Sequence, residues 1–249
     1  MATTMSKKDF FSGHAKLYAT FRPTYPKELY QFIFEHTSDF STAWDCATGN
    51  GQVAQHLSHR FKKVFATDIS PQQLDHAIKA DNISYFVQPA EHTDFPNQAF
   101  DLITVGQALH WFDLEKFYTQ VRRVAKPDSL LAVWGYALCT ASPEIDKHFL
   151  HFYHQVVGPY WDSARKMVEE EYRTIPFPFQ EIKTPTFTIQ VMWTLEQFLG
   201  YLSTWSATQK YIQANGHDPV PSIMEKIKLH WIGEQTVTFP VFLKLGRIG

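Results

Sequence analysis

The sequence predicts an α/β chain organised on a doubly wound, mostly parallel sheet. Three observations carry that prediction. Short apolar runs alternate with helical segments between Thr42 and Trp134, the order that builds parallel sheets through right-handed crossovers. Two of the runs, Ile83 to Val87 and Phe100 to Val105, are mostly apolar, interrupted at Ser84 and at Asp101 and Thr104, and contain β-branched residues, as expected of strands covered on both faces. A glycine-bearing turn, Gly49-Asn50-Gly51, separates the first strand from the helix after it.

The elements follow in order. From Pro26 to His36, Leu29, Phe32 and Ile33 recur at helical spacing behind a proline suited to a first turn. Thr42 to Cys46 reads as a strand, followed by a helix with Val53, Ala54, Leu57 and Phe61 on one face. Lys63 to Asp68 is the second strand. It runs into Ser70-Pro71-Gln72-Gln73, where Ser70 caps a helix reaching Ala80 and Gln73 completes a capping box. After the strands at Ile83 and Phe100, Asp113 caps a helix to Ala125, and Lys126-Pro127-Asp128 turns into a fifth strand, Leu130 to Trp134. The rhythm then changes. A helical stretch spans Pro143 to Tyr172, a segment with Pro176, Pro178 and Pro185 follows, and Phe187 to Met192 reads as a strand. Helices at Leu195 to Ser203 and Ile223 to Trp231 precede a final strand, Thr236 to Leu245.

Composition narrows the function. A chain of 249 residues, 44% hydrophobic and 19% charged, has enough apolar surface to fold by itself. With 23 Lys and Arg against 25 Asp and Glu, no general attraction to phosphate backbones or anionic lipid exists, so neither a nucleic-acid nor a membrane partner is expected. The longest apolar run, Leu130 to Cys139, is too short to cross a bilayer, and no signal peptide is legible at the start. Two cysteines, Cys46 and Cys139, make no disulfide framework, which suits a reducing, cytoplasmic setting. His148, His151 and His154 recur every three residues, but that spacing drifts around a helix and no carboxylate or cysteine motif accompanies it, so no metal is expected. Aromatic residues reach 16% and suit either a core or a pocket for a planar ligand. Oligomeric state is not legible.

The chemistry lies at the strand ends. Glycines between a strand and a helix N-terminus let a ligand approach the backbone, and Gly49-Asn50-Gly51-Gln52-Val53-Ala54 fits the dinucleotide pattern G-x-G-x-x-A. Asp68 closes the second strand, where a carboxylate accepts from ribose hydroxyls. Taken alone, this does not separate NAD from other adenosine cofactors. Asp45 does: a carboxylate there is repelled by a pyrophosphate and stabilised by the ammonium of a methionine moiety.

At this point the chain resembles the class I S-adenosylmethionine-dependent methyltransferases. Trp44-Asp45-Cys46-Ala47-Thr48-Gly49-Asn50-Gly51 is similar to their first motif, Val64 to Asp68 to the second, and Gln88-Pro89-Ala90-Glu91 to the third, whose acid region lies beside adenine. Phe100 to Val105 is similar to the fourth, and Gln107-Ala108-Leu109-His110-Trp111-Phe112 resembles the A-x-H-W segment of trans-aconitate methyltransferase-like enzymes. The resemblance is firm from Phe10 to Trp134 and rests on element order beyond. It implies a Rossmann-like, seven-stranded sheet with a helical substrate cap in a single domain: a lid segment over 1–25, the cofactor core over 26–136, the cap over 137–235 and the last strand over 236–249.

The resemblance also implies the site. S-adenosylmethionine is expected against Asp45, Ala47, Gly49, Gly51, Asp68, Ile69, Ala90, Glu91 and Gln107. Arg22 is expected to grip its methionine carboxylate bidentately with Tyr18 against it. A small-molecule acceptor is expected between His110, Trp111, Trp134 and Trp205. His110 is the candidate catalytic residue, to deprotonate the acceptor or orient a carboxylate. Ala47 stands where the commonest first motif has glycine, a mild change provided its φ is negative, and Ser129 replaces the last residue of a Pro-Asp-Gly turn. The rival functions are an NAD-dependent oxidoreductase and a non-catalytic binder of S-adenosylmethionine.

Overall fold

The computed structural model describes residues 21–249. Five strands run parallel: β1 (Thr42–Cys46), β2 (Lys63–Asp68), β3 (Ile83–Val87), β4 (Phe100–Gly106) and β5 (Ala125–Tyr136), in the order β3-β2-β1-β4-β5. The order reverses between β1 and β4, and a crevice opens there at the carboxyl ends of the strands. Beyond β5 the sheet is antiparallel, with β8 (Gln235–Arg247) along β5 and the strands β6 (Gln180–Ile182) and β7 (Phe187–Trp193) along β8.

Val241 pairs with Tyr136 on one side and Phe187 on the other, so β6 and β7 share the far edge of β8. Their registers differ by one residue across a break that holds Pro185, which has no N–H for the ladder. Eight strands therefore fill the seven expected positions, the sixth being split.

The helices α1 (Lys27–His36), α2 (Gln52–Ser58), α3 (Pro71–Asp75) and α4 (Leu114–Val124) accompany the parallel half. Strand side chains alternate between two cores, as period-two geometry requires. Leu102 and Ala132 join Val53, Ala54 and Leu57 of α2 in one core, while Ile103, Val105, Leu131 and Val133 join Phe117 and Val121 of α4 in the other. Ser70 and Asp113 cap α3 and α4, as their sequence positions predict.

α3 stops at Asp75 rather than Ala80, because the chain finds better partners outside a helix. The Ile78 amide donates to the Asn50 carbonyl at 3.0 Å, and the Tyr85 hydroxyl donates to the Ile78 carbonyl at 2.5 Å. β5 starts at Ala125 rather than Leu130, since Ala125 pairs with Phe100 before the register shifts at Asp128, which has φ of 60°.

The cap departs furthest from the sequence reading. In place of one helix from Pro143 to Tyr172 stand α5 (Pro143–His151), a π-helical turn (Phe152–Val156), a 3-10 turn (Gly158–Tyr160) and α6 (Arg165–Glu169), with Gly158 and Pro159 at the break. α7 (Leu195–Ser203) carries the Thr194–Gln197 capping box. α8 (Ser206–Asn215) is a helix the sequence reading missed, and α9 (Val220–Ile227) begins three residues before its expected start, Ile223. Among the described residues no helix is long and apolar enough to cross a membrane.

Candidate functional site

The carboxyl ends of β1 to β4 and the turns after them border a cavity of about 880 Å³, part of it open to solvent, lined by Ala47, Gly49, Asp68, Ile69, Ser70, Gln73, Gln88, Ala90, Glu91, Gly106, Gln107, Ala108, Trp111 and Phe112. The turn after β1 forms its floor in left-handed backbone: φ is 55° at Ala47, 56° at Gly49 and 81° at Gly51. Ala47 thus does not take the negative φ expected of it. A side chain is held in a region glycine occupies freely, at a cost of order 1 kcal/mol.

Asp68 ties the two sides of the cavity together. Oδ2 accepts from the Gly49 amide and Oδ1 from the Ser70 amide, both at 2.9 Å, so it fixes the turns after β1 and β2 while its carboxylate lines the cavity. Glu91, also in the lining, accepts from the Asp113 amide at 2.9 Å.

Asp45 is placed otherwise than expected. It is 1% exposed, beneath the turn and absent from the cavity lining, and accepts from the hydroxyls of Thr48 and Thr104, the latter at 2.7 Å. Burial raises its pKa to about 7 against the pull of those hydrogen bonds. Gly51 also leaves the cavity. It opens α2 under Tyr85, and an added Cβ would collide with the Tyr85 hydroxyl, so its role is packing.

Gln107, at φ of 57°, uses its side chain on the backbone: Oε1 accepts from the Tyr136 amide at 2.8 Å and Nε2 donates to the Tyr136 carbonyl at 3.3 Å. The missing side chain of Gly135 makes room, since a Cβ there would lie 2.5 Å from that Oε1.

A second cavity, of about 510 Å³, adjoins the first and shares Gln107 and Trp111 with it. Arg22, His110, Trp161, Asp162, Arg165, Trp205 and Ser206 complete its lining. Arg22 donates to the Tyr136 hydroxyl at 2.6 Å and lies 5.4 Å from the centre of the Tyr201 ring. His110 Nδ1 lies 2.8 Å from the Tyr172 hydroxyl. Burial, helped by the charge of Arg165, lowers the His110 pKa to about 3, so the ring is neutral at physiological pH.

The chain is similar over this whole framework to known proteins. The family model for a methyltransferase domain matches residues 44–133, which hold the turn after β1, Asp68, Glu91, Gln107 and His110. A methyltransferase-family protein of Dictyostelium discoideum is 33% identical over 96% of this chain and 95% of its own length. The chain belongs to the class I S-adenosylmethionine-dependent methyltransferases. A solved type II methyltransferase-family structure from Anaeromyxobacter dehalogenans superposes with a TM-score of 0.84 at 36% identity, over 92% of this chain and 98% of that one. A methyltransferase of Aspergillus candidus is 26% identical over 79% of this chain and 70% of its own.

The residues of the first cavity of this methyltransferase fit the cofactor its family uses. Apolar Ile69, Ala90, Ala108 and Phe112 offer surfaces for a planar base, and Asp68 offers the carboxylate a ribose requires. The nearest atom to a Cβ built on Gly49 is 4.0 Å away, so the turn leaves its backbone open to a ligand.

Of the predicted cofactor residues, Ala47, Gly49, Asp68, Ile69, Ala90, Glu91 and Gln107 come together in the first cavity, Arg22 lies in the second, and Tyr18 falls outside the described residues. Of the predicted acceptor residues, His110, Trp111 and Trp205 line the second cavity. Trp134 does not. It is fully buried under the sheet, edge-on to Tyr25 at 5.5 Å and Tyr30 at 6.1 Å, because its β5 position points into the core shared with α1 and α2. The sequence reading missed Gln88, Ser70 and Gln73 of the first cavity, of which the last two had been read as helix caps. It also missed Trp161, Asp162 and Arg165 of the second, which follow a helix break that Gly158-Pro159 marks and the reading passed over.

Proposed function

We propose that this methyltransferase transfers a methyl group from S-adenosylmethionine, held in the first cavity, to a small molecule held in the second. The observation that carries the reading is the shared wall of Gln107 and Trp111, which leaves two ligands room to meet at the carboxyl edge of β4. The bound cofactor supplies an already electrophilic sulfonium methyl, so alignment provides much of the acceleration.

In this reading Asp68 accepts from the ribose hydroxyls, Ile69 and Ala90 cover the adenine, and Glu91 lies beside it. The backbone from Ala47 to Gly49 and at Gln107 receives the methionine end, with Arg22 near its carboxylate. Asp45 acts from beneath the turn through its charge, without touching the ligand. With its pKa near 3, His110 is far too weak a base to take a proton at neutral pH, and it serves as a neutral hydrogen-bonding wall of the second cavity. The second cavity, narrow and walled by Trp111, Trp161 and Trp205, supports a small acceptor rather than a polymer. The whole chain serves one domain in this reading, since β8 returns beside β5 and the cap closes over the strand ends.

Thermal unfolding with S-adenosylmethionine, S-adenosylhomocysteine and NAD tests the cofactor assignment, because only ligands of the folded state raise the melting temperature. The two adenosyl compounds are expected to raise it and NAD to leave it unchanged; equal shifts with NAD overturn the reading. Methyl-labelled cofactor incubated with a metabolite library is expected to mark a small molecule. Label confined to protein or nucleic acid removes the small-molecule acceptor.

A further inference from the structure

The second cavity is rich in donors and poor in acceptors. Arg165 enters it from α6, its guanidinium 4.9 Å from the centre of the Trp161 ring and 5.7 Å from that of Tyr153. Its Nε donates to the Tyr153 hydroxyl at 3.0 Å, and that hydroxyl donates to Glu169. Arg165 is thus held in place by two aromatic faces and one neutral oxygen, and among the described residues no carboxylate forms an ion pair with it.

An arginine fixed in this way has its fork oriented before any ligand arrives, so little side-chain freedom is lost when an anion binds. Among the described residues the only acid in the lining, Asp162, is already matched by Lys210 at 2.6 Å. The indole N–H of Trp161 is buried without an acceptor, and the hydroxyl of Ser206 adds a neutral donor. Buried donors without acceptors are costly and are normally satisfied. Here the group that completes the set is an oxyanion.

Resting on the reading of the second cavity as the acceptor site, we infer that the acceptor is a planar organic carboxylate whose carboxylate group is gripped by Arg165, and that Arg165 sets acceptor specificity. A carboxylate matches one guanidinium fork bidentately, and the tryptophan walls suit a flat body. Arg165 lines the second cavity and not the first. The carboxylate is therefore a handle, and the methyl is delivered to another nucleophilic atom of the same molecule, at the wall of Gln107 and Trp111. The nucleophile's lone pair forms the new bond to carbon while the sulfonium leaves as a neutral thioether, and the nucleophile's proton is released to solvent.

The probes are hydroxybenzoates, hydroxycinnamates and indole carboxylates, each beside its carboxamide and its phosphonate analogue. Binding is measured by calorimetry on the full chain saturated with S-adenosylhomocysteine, and turnover with methyl-labelled cofactor. At least one carboxylate is expected to bind about tenfold or more tighter than its carboxamide and than its phosphonate. Arg165→Met is expected to erase that preference and Arg165→Lys to keep part of it, while affinity for S-adenosylhomocysteine stays within about twofold of wild type. Label in the product is expected to resist mild base, as an ether or N-methyl group does and a methyl ester does not.

Equal binding of carboxylates and carboxamides by the wild type, or an undiminished preference in Arg165→Met, overturns the proposal. Base-labile label overturns the handle assignment, and a phosphonate preference replaces the carboxylate by a dianion. A wild type that fails to bind S-adenosylhomocysteine instead defeats the cofactor reading, so the two failures are told apart. Unfolding of Arg165→Met, which loses its packing between Trp161 and Tyr153, is recognised by its melting temperature and leaves the Arg165→Lys comparison to decide.

Discussion

The two cavities are built by different means. The first is made of strand ends and turns: its floor is backbone in left-handed conformations at Ala47 and Gly49, and its one carboxylate at the β2 end, Asp68, is bonded to the amides of Gly49 and Ser70. The second is made of side chains from scattered places, with Arg22 ahead of α1, His110 after β4, Trp161 and Arg165 around a helix break and Trp205 at the start of α8. A backbone site recognises what every member of a family shares, because it depends on turn geometry. A side-chain site recognises what differs, because each wall can be exchanged without disturbing the fold.

The contrast is broken most sharply at Asp68. Asp68→Ala removes both turn contacts and the carboxylate assigned to the ribose, so affinity for S-adenosylmethionine is expected to fall about ten- to a hundredfold, with a lower melting temperature from the freed turns. Asp68→Asn keeps one acceptor and is expected to lose less of both. Calorimetry beside thermal unfolding separates the effects: unchanged affinity with lowered stability would leave Asp68 a turn residue only.

Asp45 gives a smaller effect that depends on pH. Its pKa near 7 means that the carboxylate charge appears as pH rises through neutrality, and a cationic ligand above the turn favours that charge. Relative to Asp45→Asn, wild-type affinity for S-adenosylmethionine is expected to rise between pH 6 and pH 8 by up to about tenfold, the limit set by one linked proton over that span. Stability runs the other way. Because the folded pKa lies above the reference value of 3.8, the carboxyl costs stability progressively as pH climbs from that value to 7, and the full cost persists above it. Asp45→Asn is therefore expected to melt higher than wild type at pH 8. A flat ratio of affinities across the range would remove Asp45 from cofactor binding.

The smallest effect sharpens the comparison from the backbone side. Ala47→Gly relieves a left-handed residue at φ of 55° but loosens the unfolded chain, so a net gain of about 0.5 kcal/mol is expected, read as a rise of about 1–2 °C in melting temperature. A fall would show that the Ala47 methyl packs well enough to outweigh its strain.

How much of this was legible differs between the halves for the same reason. β1, β2 and β3 match their sequence bounds residue for residue, and Asp113 caps α4 as read. Apolar runs and caps are both signals between near neighbours in the chain, although β3, at the sheet edge with Ser84 and Val87 exposed, is not covered on both faces as its run suggested. The first cavity was legible with them in part: Ser70, Gln73 and Gln88 of its lining were not read as site residues, and Asp45 and Gly51 were recognised by residue type although the side chain of one and the missing Cβ of the other turn inward. The second cavity was only half legible. His110 follows directly from β4, whereas Trp134 could not be told from a pocket residue until the β5 register turned it toward Tyr25 and Tyr30.

By itself the sequence determined the order of elements from α1 to β5, the turn between β1 and α2, and the acid at the end of β2, because each depends on residues within a few positions of one another. Only the tertiary structure decided the split of the sixth strand position across Pro185 and the burial that leaves Asp45 near neutrality and His110 uncharged. Those depend on which distant groups exclude water from a given side chain, and no local spacing encodes desolvation.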